Sequence, residues 1–294
     1  MSTQAASSPT PLVVVTGAST GLGAATAREL AGCGFHVLAG VRKDSDADKL
    51  RDRNIEPVIL DITKPADIAA LAERVDSDPD RRPLRALVNN AGIAVNAPVE
   101  ALPLDEWRRQ FEVNLFGHIA VTQTLLPALL RSSGTVVNVS SVGGKVAMAT
   151  YGAYAGAKFA LEAVSDALRR EITAYGVKVV VVEPGAVMTE MSARGIATAN
   201  RLAADMTTDQ HTRYDALVNA ITAQSDSFTE TGVPAARAAH VVVRAVTAKN
   251  PRTRYTIGRD AAIIVRLARL ASDRLLDRLL ARNLKPHYAK GAGV

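Results

Sequence analysis

The chain has 294 residues, is 48% hydrophobic and 4% aromatic, and carries a formal net charge of +6 at pH 7. This composition suits a folded α/β protein and argues against a disordered chain. The single cysteine, Cys33, excludes an internal disulfide, and no two histidines stand at a metal-ligand spacing, so we expect no metal site.

Both ends of the chain differ from its middle. The first ten residues, MSTQAASSPT, are polar and small and lack the regions of a signal peptide, so we predict a disordered tail over residues 1–10. No continuous apolar run reaches the roughly 18 residues that span a bilayer. From Arg237 onward, 13 Lys and Arg stand against 3 Asp and Glu, a net charge of +10, which leaves −4 on the preceding part.

Short apolar runs alternate with helical segments from residue 12 to residue 185. The predicted strands are 12–16, 35–42, 57–61, 86–92, 134–141 and 177–185, and the predicted helices are 22–34, 68–76, 107–130 and 154–176. Strands that are apolar throughout are typical of a sheet covered on both faces. The alternation therefore predicts an α/β fold with a doubly wound parallel sheet, in one domain over residues 11–260.

The alternation stops after Pro184. Residues 189–233 are polar and irregular, and they follow the carboxyl end of a strand, where ligands bind in doubly wound sheets. We therefore predict a long loop without regular structure that closes over a substrate as a lid, rather than a disordered spacer.

The segment TGASTGLG, residues 16–23, joins the first strand to the first helix. Gly17 permits a tight turn, and Gly21 and Gly23 let a pyrophosphate approach the backbone at the helix N-terminus, where N–H groups favour anions. We predict a dinucleotide site here, to which Ser19, Thr20 and Leu22 of the same turn also belong.

The second strand ends in Arg42 and not in an acid that would bind the ribose 2′-hydroxyl of NAD. A 2′-phosphate would accept charge-assisted hydrogen bonds from Arg42, so we favour NADP(H) over NAD(H). In the alternative, Arg42 points into solvent and Asp44 or Asp46 reaches the ribose. Asp61 is positioned to accept from the adenine amino group, unless it is an ordinary strand-end or capping residue.

Two tyrosines stand in YGAYAGAK, residues 151–158, and helical spacing distinguishes them. Residues i and i+4 share a helix face, which pairs Tyr154 with Lys158 and Tyr151 with Ala155. We expect the ammonium group of Lys158 to lower the pKa of the Tyr154 phenol, which would then act as a general acid or base. Lys158 would also hydrogen-bond a nicotinamide ribose, and Tyr151 would lie at the loop–helix junction beside the substrate.

Two further polar residues fit the same site. Ser141 ends the fifth strand 13 residues before Tyr154, where its hydroxyl could hold a substrate oxygen. Asn114 lies within a predicted helix, where asparagine is disfavoured unless its side chain holds a water or a backbone group. Taken singly, an exposed serine and a tolerated asparagine remain alternatives.

These motifs together resemble the classical short-chain dehydrogenase/reductase family. The matching segments are TGASTGLG, Asp61, the NNAG of residues 89–92, Asn114, Ser141, Tyr154-x-x-x-Lys158 and Pro184-Gly185, over roughly residues 12–190. The resemblance implies a Rossmann fold with seven strands, the last at 254–258, and hydride transfer at the nicotinamide C4.

The resemblance also implies roles for individual residues. Asn114, Ser141, Tyr154 and Lys158 would form a catalytic tetrad, and Val187 and Thr189 would hold the nicotinamide carboxamide. Asn89 to Gly92 would support the adenine side and the central sheet. The remaining cofactor contacts that we expect are Ile62, Asn90, Ala91, Gly92, Pro184 and Gly185. The family's dimers and tetramers pack through the helices that contain Asn114 and Tyr154.

The segment SSVGGKVA and the Val-Arg ending of the second strand are similar to the 17β-hydroxysteroid and retinol dehydrogenase subgroup, which implies a lipophilic alcohol or ketone as substrate. We therefore expect a cytoplasmic, homo-oligomeric oxidoreductase that transfers a hydride between NADP(H) and such a substrate. The alternatives are a non-catalytic NADP-binding sensor and a membrane-associated protein acting through its basic end.

The end of the chain, residues 261–294, forms a basic extension. Within it, RLARLASDRLLDRLLARNL places leucines near i, i+3, i+4 and i+7 with arginines between them. Such a helix could rest weakly on an anionic membrane surface. The favoured alternative is a helix packed over the substrate mouth or on a partner subunit. Nucleic-acid binding is not expected, because no aromatic residues interleave the arginines.

Overall fold

The computed structural model describes residues 10–288. Residues 1–9 of the predicted N-terminal tail and residues 289–294 of the C-terminal extension lie outside the described residues.

Seven parallel strands form the central sheet. They are β1 (Leu12–Val15), β2 (His36–Val41), β3 (Ile55–Ile59), β4 (Leu84–Asn89), β5 (Thr135–Val139), β6 (Lys178–Pro184) and β9 (Arg254–Ile257), in the order β3-β2-β1-β4-β5-β6-β9. The predicted parallel, doubly wound sheet and the seventh strand near residues 254–258 are thus confirmed. The strand order reverses between β1 and β4, and ligands bind at the carboxyl ends of strands beside such a reversal.

Helices cover both faces of the sheet. They are α1 (Gly21–Gly32), α2 (Asp44–Leu50), α3 (Pro65–Asp76), α4 (Leu104–Phe111), α5 (Gly117–Ser132), α6 (Gly152–Ile172), α7 (Glu190–Ala204), α8 (Thr208–Thr231), α9 (Ala235–Thr247), α10 (Arg259–Leu270) and α11 (Asp273–Leu284). One core lies between the sheet and α1, α2 and α9, and the other lies between the sheet and α3, α5 and α6. Because side chains alternate along a strand, Val13 belongs to the first core and Val14 to the second.

A turn of π-helix, Glu112–Phe116, joins α4 to α5 without a break. The resulting helix, Leu104–Ser132, has 29 residues and a mean hydropathy of 1.4 over its most apolar 18-residue window. By length and composition it could cross a membrane, but half of that window is buried in the fold. Its position against the sheet is that of a core helix.

The prediction of a loop without regular structure over residues 189–233 is wrong. This segment forms α7 and α8, and its flanks pair as two short strands, β7 (Val187–Met188) and β8 (Val233–Pro234). Few of its apolar residues are buried, among them Leu202, Met206 and Ile221. The helices pack on each other, and α7 buries only Gly195 and Leu202 along its length, so the sequence gives little sign of a core-facing helix.

The basic extension is also divided. A non-helical junction, Ala271–Ser272, separates α10 from α11, so the leucine-rich segment forms two helices and not one.

Candidate active site

The glycine turn between β1 and α1 has the geometry that its sequence predicts. Gly17 has a φ of +63°, and a Cβ added there would lie 2.6 Å from the Cα of Ala91. A Cβ on Gly23 would lie 2.3 Å from the carbonyl oxygen of Gly17. Thr20 precedes α1, and no side chain caps this helix end. The turn therefore brings bare backbone to an uncapped helix N-terminus, which is an arrangement that fits a pyrophosphate.

Residues after β4 brace this turn. The side-chain amide of Asn90 donates to the carbonyl oxygens of Thr16 and Gly17, at 3.0 Å each. The hydroxyl of Thr16 accepts from the backbone N–H groups of Asn90 and Ala91, also at 3.0 Å. Asn89, the last residue of β4, donates from its side-chain amide to Thr122 of α5 and to Asn138 of β5. Residues 89–91 thus support the central sheet and the glycine turn, while their expected support of the adenine side stays a prediction.

At the end of β2, Arg42 is exposed and makes no ion pair within residues 10–288. The charge of Arg42 contributes to a lowered pKa of Asp61, which burial opposes and hydrogen bonds from Thr63 promote. Asp61 Oδ1 accepts from the backbone N–H and the hydroxyl of Thr63, at 3.0 and 2.7 Å. Asp61 is therefore a turn-forming residue whose second carboxylate oxygen is left for other partners. Ile62 is buried, and both its side chain and its carbonyl oxygen lie close to Gly117.

The start of α7 lies over the glycine turn. Thr189 precedes α7, and its side chain would be 3.1 Å from a Cβ on Gly21. The methyl end of Met191 lies close to Gly92. The segment from Pro184 through Gly185 and Val187 thus leads from the end of β6 to the crevice beside the turn.

Asn114 is fully buried in the π-helical turn. Its side-chain oxygen accepts from the backbone N–H of Ile93 at 2.9 Å, and its side-chain nitrogen donates to the carbonyl of Ile93 at 2.8 Å. Of the two expectations for this side chain, the hold on a backbone group is what the structure contains. π-Turns occur frequently at functional sites.

Ser141 and Tyr154 meet at the carboxyl end of β5. Ser141 precedes a short 3₁₀ turn, Val142–Gly144, and its hydroxyl accepts from the backbone N–H of Gly143 at 3.0 Å. A side-chain hydrogen bond between Ser141 and Tyr154 lowers the pKa of the phenol, while burial raises it further than this bond lowers it. A Cβ on Gly143 would be 3.1 Å from the Tyr154 ring, so the turn and the ring are in contact.

Lys158 follows Tyr154 by one turn of α6. Its ammonium nitrogen donates to the carbonyl oxygen of Val139 at 2.9 Å and lies 5.9 Å from the centre of the Tyr154 ring. Burial lowers the pKa of Lys158 to about 8, and the charge of Glu162 opposes this. The shared helix face is therefore as predicted.

The expected lowering of the Tyr154 pKa is wrong for this structure. The net shift of the pKa is upward, because burial of the phenol and the neighbouring Tyr151 outweigh the interaction with Ser141. Tyr154 is consequently a neutral phenol at pH 7, which is the form that donates a proton.

Tyr151 lies at the junction between the preceding loop and α6, as predicted, and its ring packs edge-on to that of Tyr154 at 6.3 Å between centroids. Its hydroxyl is 3.2 Å from the Oγ of Ser225 on α8. Beyond it, a cavity of about 20 Å³ lies between the loop after β4 and the helices α7 and α8. Its walls include Ala97, Thr150, Ile196, Leu202, Met206 and Ile221. This volume holds about one water.

A buried ionic cluster behind the site was not predicted from the sequence. The Glu162 carboxylate pairs with Lys145, at 2.7 Å, and with Arg254, at 3.0 Å, while the buried Glu183 lies 3.3 Å from Arg254. Glu162 follows Lys158 at i+4, so the spacing that selected Lys158 could also have located this carboxylate.

His118 was also missed. It is buried in α5, its Nε2 lies 2.7 Å from the carbonyl oxygen of Ala91, and burial lowers its pKa to about 3. No pattern in the sequence distinguishes it from an ordinary core residue.

Known proteins share this fold and much of this sequence. A family model described as short chain dehydrogenase matches residues 11–200. The chain is 31% identical over 280 residues to the NADPH-dependent 3-dehydrocapnine reductase of Ornithobacterium rhinotracheale, covering 92% of this chain and 96% of that protein. It is 36% identical over 261 residues to retinol dehydrogenase 7 of Mus musculus, covering 85% and 81%.

Among solved structures, a short chain dehydrogenase from Burkholderia cenocepacia in complex with NADP superposes with a TM-score of 0.70. The two chains are 27% identical, with 94% of this chain and 97% of that chain covered. The match to retinol dehydrogenase 7 confirms the resemblance to the retinol dehydrogenase subgroup. Fold, site and comparisons agree, and the chain belongs to the short-chain dehydrogenase/reductase family, the oxidoreductases that act on alcohol and carbonyl groups with NADP or NAD.

Proposed function

We propose that this enzyme transfers a hydride between NADP(H) and a lipophilic alcohol or carbonyl compound, with Tyr154 as the general acid and base. The observation that carries the proposal is that Ser141 and Tyr154 meet at Gly143, one helical turn from a buried ammonium group and beside an apolar cavity.

In the proposed mechanism, Ser141 holds the substrate carbonyl oxygen and Tyr154 protonates it. The raised pKa of Tyr154 keeps the phenol neutral, so the resting enzyme is prepared for carbonyl reduction. The positive charge of Lys158 stabilises the phenolate that remains after the proton has left. Both groups of the Asn114 side chain are engaged with Ile93, so we assign any water of a proton relay to the main-chain carbonyl of Asn114.

We assign the cofactor site to the crevice around the glycine turn. Bound NADPH would supply the hydride from the nicotinamide C4. The turn from Gly17 to Gly23 would hold the pyrophosphate, Asp61 Oδ2 the adenine amino group, Lys158 the nicotinamide ribose, and Val187 with Thr189 the carboxamide. The bare backbone and uncapped helix end of the turn support this assignment.

We propose that Arg42 selects NADP(H) by binding the 2′-phosphate. Its guanidinium group is exposed and unpaired within residues 10–288, so it needs no rearrangement to meet a phosphate. The NADPH dependence in the name of the Ornithobacterium rhinotracheale reductase and the NADP bound to the Burkholderia cenocepacia protein support the same choice.

The apolar walls of the cavity, together with the similarity to retinol dehydrogenase 7, support a lipophilic substrate.

We further propose a homodimer or homotetramer that packs through α5 and α6, where Phe116 and Phe159 are exposed. The cytoplasmic location expected from the sequence remains a prediction.

The experiment that tests the proposed function measures NADPH oxidation against two panels, one of lipophilic ketones and aldehydes and one of polar sugars and hydroxy acids. We expect turnover with the lipophilic panel, reduced about 10²–10⁴-fold in Ser141→Ala, because the substrate oxygen loses its orienting hydroxyl. Ser77→Ala, which changes an exposed serine at the end of α3, serves as the control. Turnover confined to polar substrates would contradict the proposed substrate class. NADPH binding without turnover on either panel would favour the non-catalytic sensor.

A further inference from the structure

The outward faces of α10 and α11 carry large apolar side chains that no part of residues 10–288 covers. On α10, Ile263, Leu267 and Leu270 are 54%, 40% and 87% exposed. They stand at i, i+4 and i+7 and so form one row. The buried residues of this helix, Ala261 and Val265, lie on its opposite side. This row of apolar side chains is therefore not needed to pack α10 against the rest of the fold.

The second helix repeats this arrangement. Leu275 and Leu279 of α11, at i and i+4, are 46% and 38% exposed. Half a helical turn around the axis, Leu284 is buried and packs in a small apolar cluster with Ile221 of α8 and Tyr151. The inner face of α11 thus packs beside the substrate cavity, and its outer face is free.

Basic side chains border both rows. They are Arg259, Arg266, Arg269, Arg274, Arg278, Arg282 and Lys285, against three acids, Asp260, Asp273 and Asp277. All seven basic side chains are exposed, and none forms an ion pair within the part of the chain that the structure describes. A row of leucines bordered by unpaired arginines fits a membrane interface, because long basic side chains reach the lipid headgroups while the leucines enter the acyl region.

We propose that the α10–α11 surface, defined by Ile263, Leu267, Leu270, Leu275 and Leu279 with the bordering arginines, binds the interface of an anionic lipid bilayer. The positive charge of this surface favours an anionic bilayer over a second copy of the chain as its binding partner. Two copies joined through this surface would bring two strongly basic ends together, whereas anionic headgroups neutralise them.

The membrane contact depends on α10 and α11 alone, whereas a consequence for substrate delivery rests on the proposed function. Leu284 and Tyr151 join α11 to the edge of the cavity, so a bilayer on the outer face would lie near the entrance for a lipophilic substrate. The surface would then deliver substrate as well as localise the enzyme.

The test is cosedimentation of the full-length protein with vesicles of phosphatidylcholine alone and of phosphatidylcholine mixed with phosphatidylglycerol, without substrate or cofactor. We expect binding to the mixed vesicles to be at least about tenfold stronger, and to weaken about tenfold in Leu267→Gln/Leu270→Gln. Arg274→Gln/Arg278→Gln should reduce binding to the mixed vesicles only. Leu104→Gln, an exposed leucine on α4, is the matched control and should bind as the wild type does.

Equal binding to both vesicle types, or unchanged binding in the leucine variant, would overturn the proposal. So would a change of oligomeric state in the leucine variant with vesicle binding unaltered, since the surface would then join copies of the chain. Thermal unfolding of each variant verifies that it is folded. Because no turnover is measured, failure of the proposed reaction leaves this test intact.

Discussion

The ammonium group of Lys158 carries the charge on which the proposed chemistry depends. It is held by Val139 and faces three titratable groups: Tyr154 and Glu162 on its own helix and His118 on α5. His118 has a pKa of about 3 and stays neutral above pH 5, so the cation beside Tyr154 near neutral pH is Lys158.

A pH profile tests this role. The pKa of Lys158 is about 8, so the side chain is cationic below pH 8 and loses its charge above it. We expect kcat/KM for carbonyl reduction to fall as the pH rises through about 8, measured with saturating NADPH. In Lys158→Arg the guanidinium group stays charged, so any remaining activity should not fall in that range. A fall at the same pH in the arginine variant would assign the titration to another group.

Arg42 offers a second test at the level of one residue. Replacing it by Ala should weaken NADPH binding by about 10²-fold, the value of one charge-assisted contact of about 2–3 kcal/mol, and leave NADH binding unchanged. Fluorescence titration of both cofactors gives the two dissociation constants. Arg51→Ala, which removes another exposed arginine nearby, is the control. Equal losses for the two cofactors would rule out a phosphate-selective role.

At the scale of elements, the buried ionic cluster joins three parts of the site. Lys145 follows the turn that begins at Ser141, Glu162 belongs to the helix of Tyr154, and Arg254 begins β9. Their ion pairs fix the Ser141 turn onto α6. A charge left behind in such a buried cluster is costly when its partner is removed.

We therefore expect Glu162→Gln to destabilise the fold by about 1–3 kcal/mol, because Lys145 and Arg254 lose the carboxylate that they share and keep Glu183 and Asp166 as acidic partners. The matched control is Glu190→Gln, which breaks the exposed ion pair with Arg194 and should cost about 0–1 kcal/mol. Urea unfolding of both variants gives the two free energies. A Glu162 variant as stable as the control would show that the cluster does not hold these elements together.

Helices and strands with a clear hydrophobic period, or with a glycine at one end, could be predicted from the sequence. Those that depend on tertiary contacts could not. The strands of the sheet are apolar throughout, and Tyr154 with Lys158 follows from helical spacing. The helices α7 and α8 were not predicted, because few of their residues are buried. The raised pKa of Tyr154 was not predicted, because the burial of its phenol depends on chain segments far apart in sequence.

At the scale of the whole molecule, two surfaces with exposed apolar side chains carry the proposed contacts with other molecules. One is the α10–α11 surface, and the other is the face of α5 and α6 with Phe116 and Phe159. The proposed oligomer uses the second surface, and the proposed membrane contact uses the first. A membrane-bound oligomer is compatible with both surfaces being occupied at once.

Light scattering of the purified protein tests this assignment. We expect a dimer or tetramer for the wild type and a monomer for Phe116→Glu/Phe159→Glu, because buried carboxylates would oppose association. Tyr175→Glu, an exposed aromatic residue beyond the end of α6, should leave the assembly unchanged. A monomeric wild type, or an oligomer that persists in the double variant, would exclude the α5–α6 interface.

The central claim is that Tyr154, and not its neighbour Tyr151, transfers the proton. Single-turnover oxidation of bound NADPH by a lipophilic ketone, measured in Tyr154→Phe and Tyr151→Phe, tests it most directly. The account predicts that Tyr154→Phe slows the reaction about 10²–10⁴-fold while NADPH binds as tightly as before. It predicts that Tyr151→Phe, which loses only the contact with Ser225, slows the reaction much less. Substantial turnover in Tyr154→Phe would contradict the account.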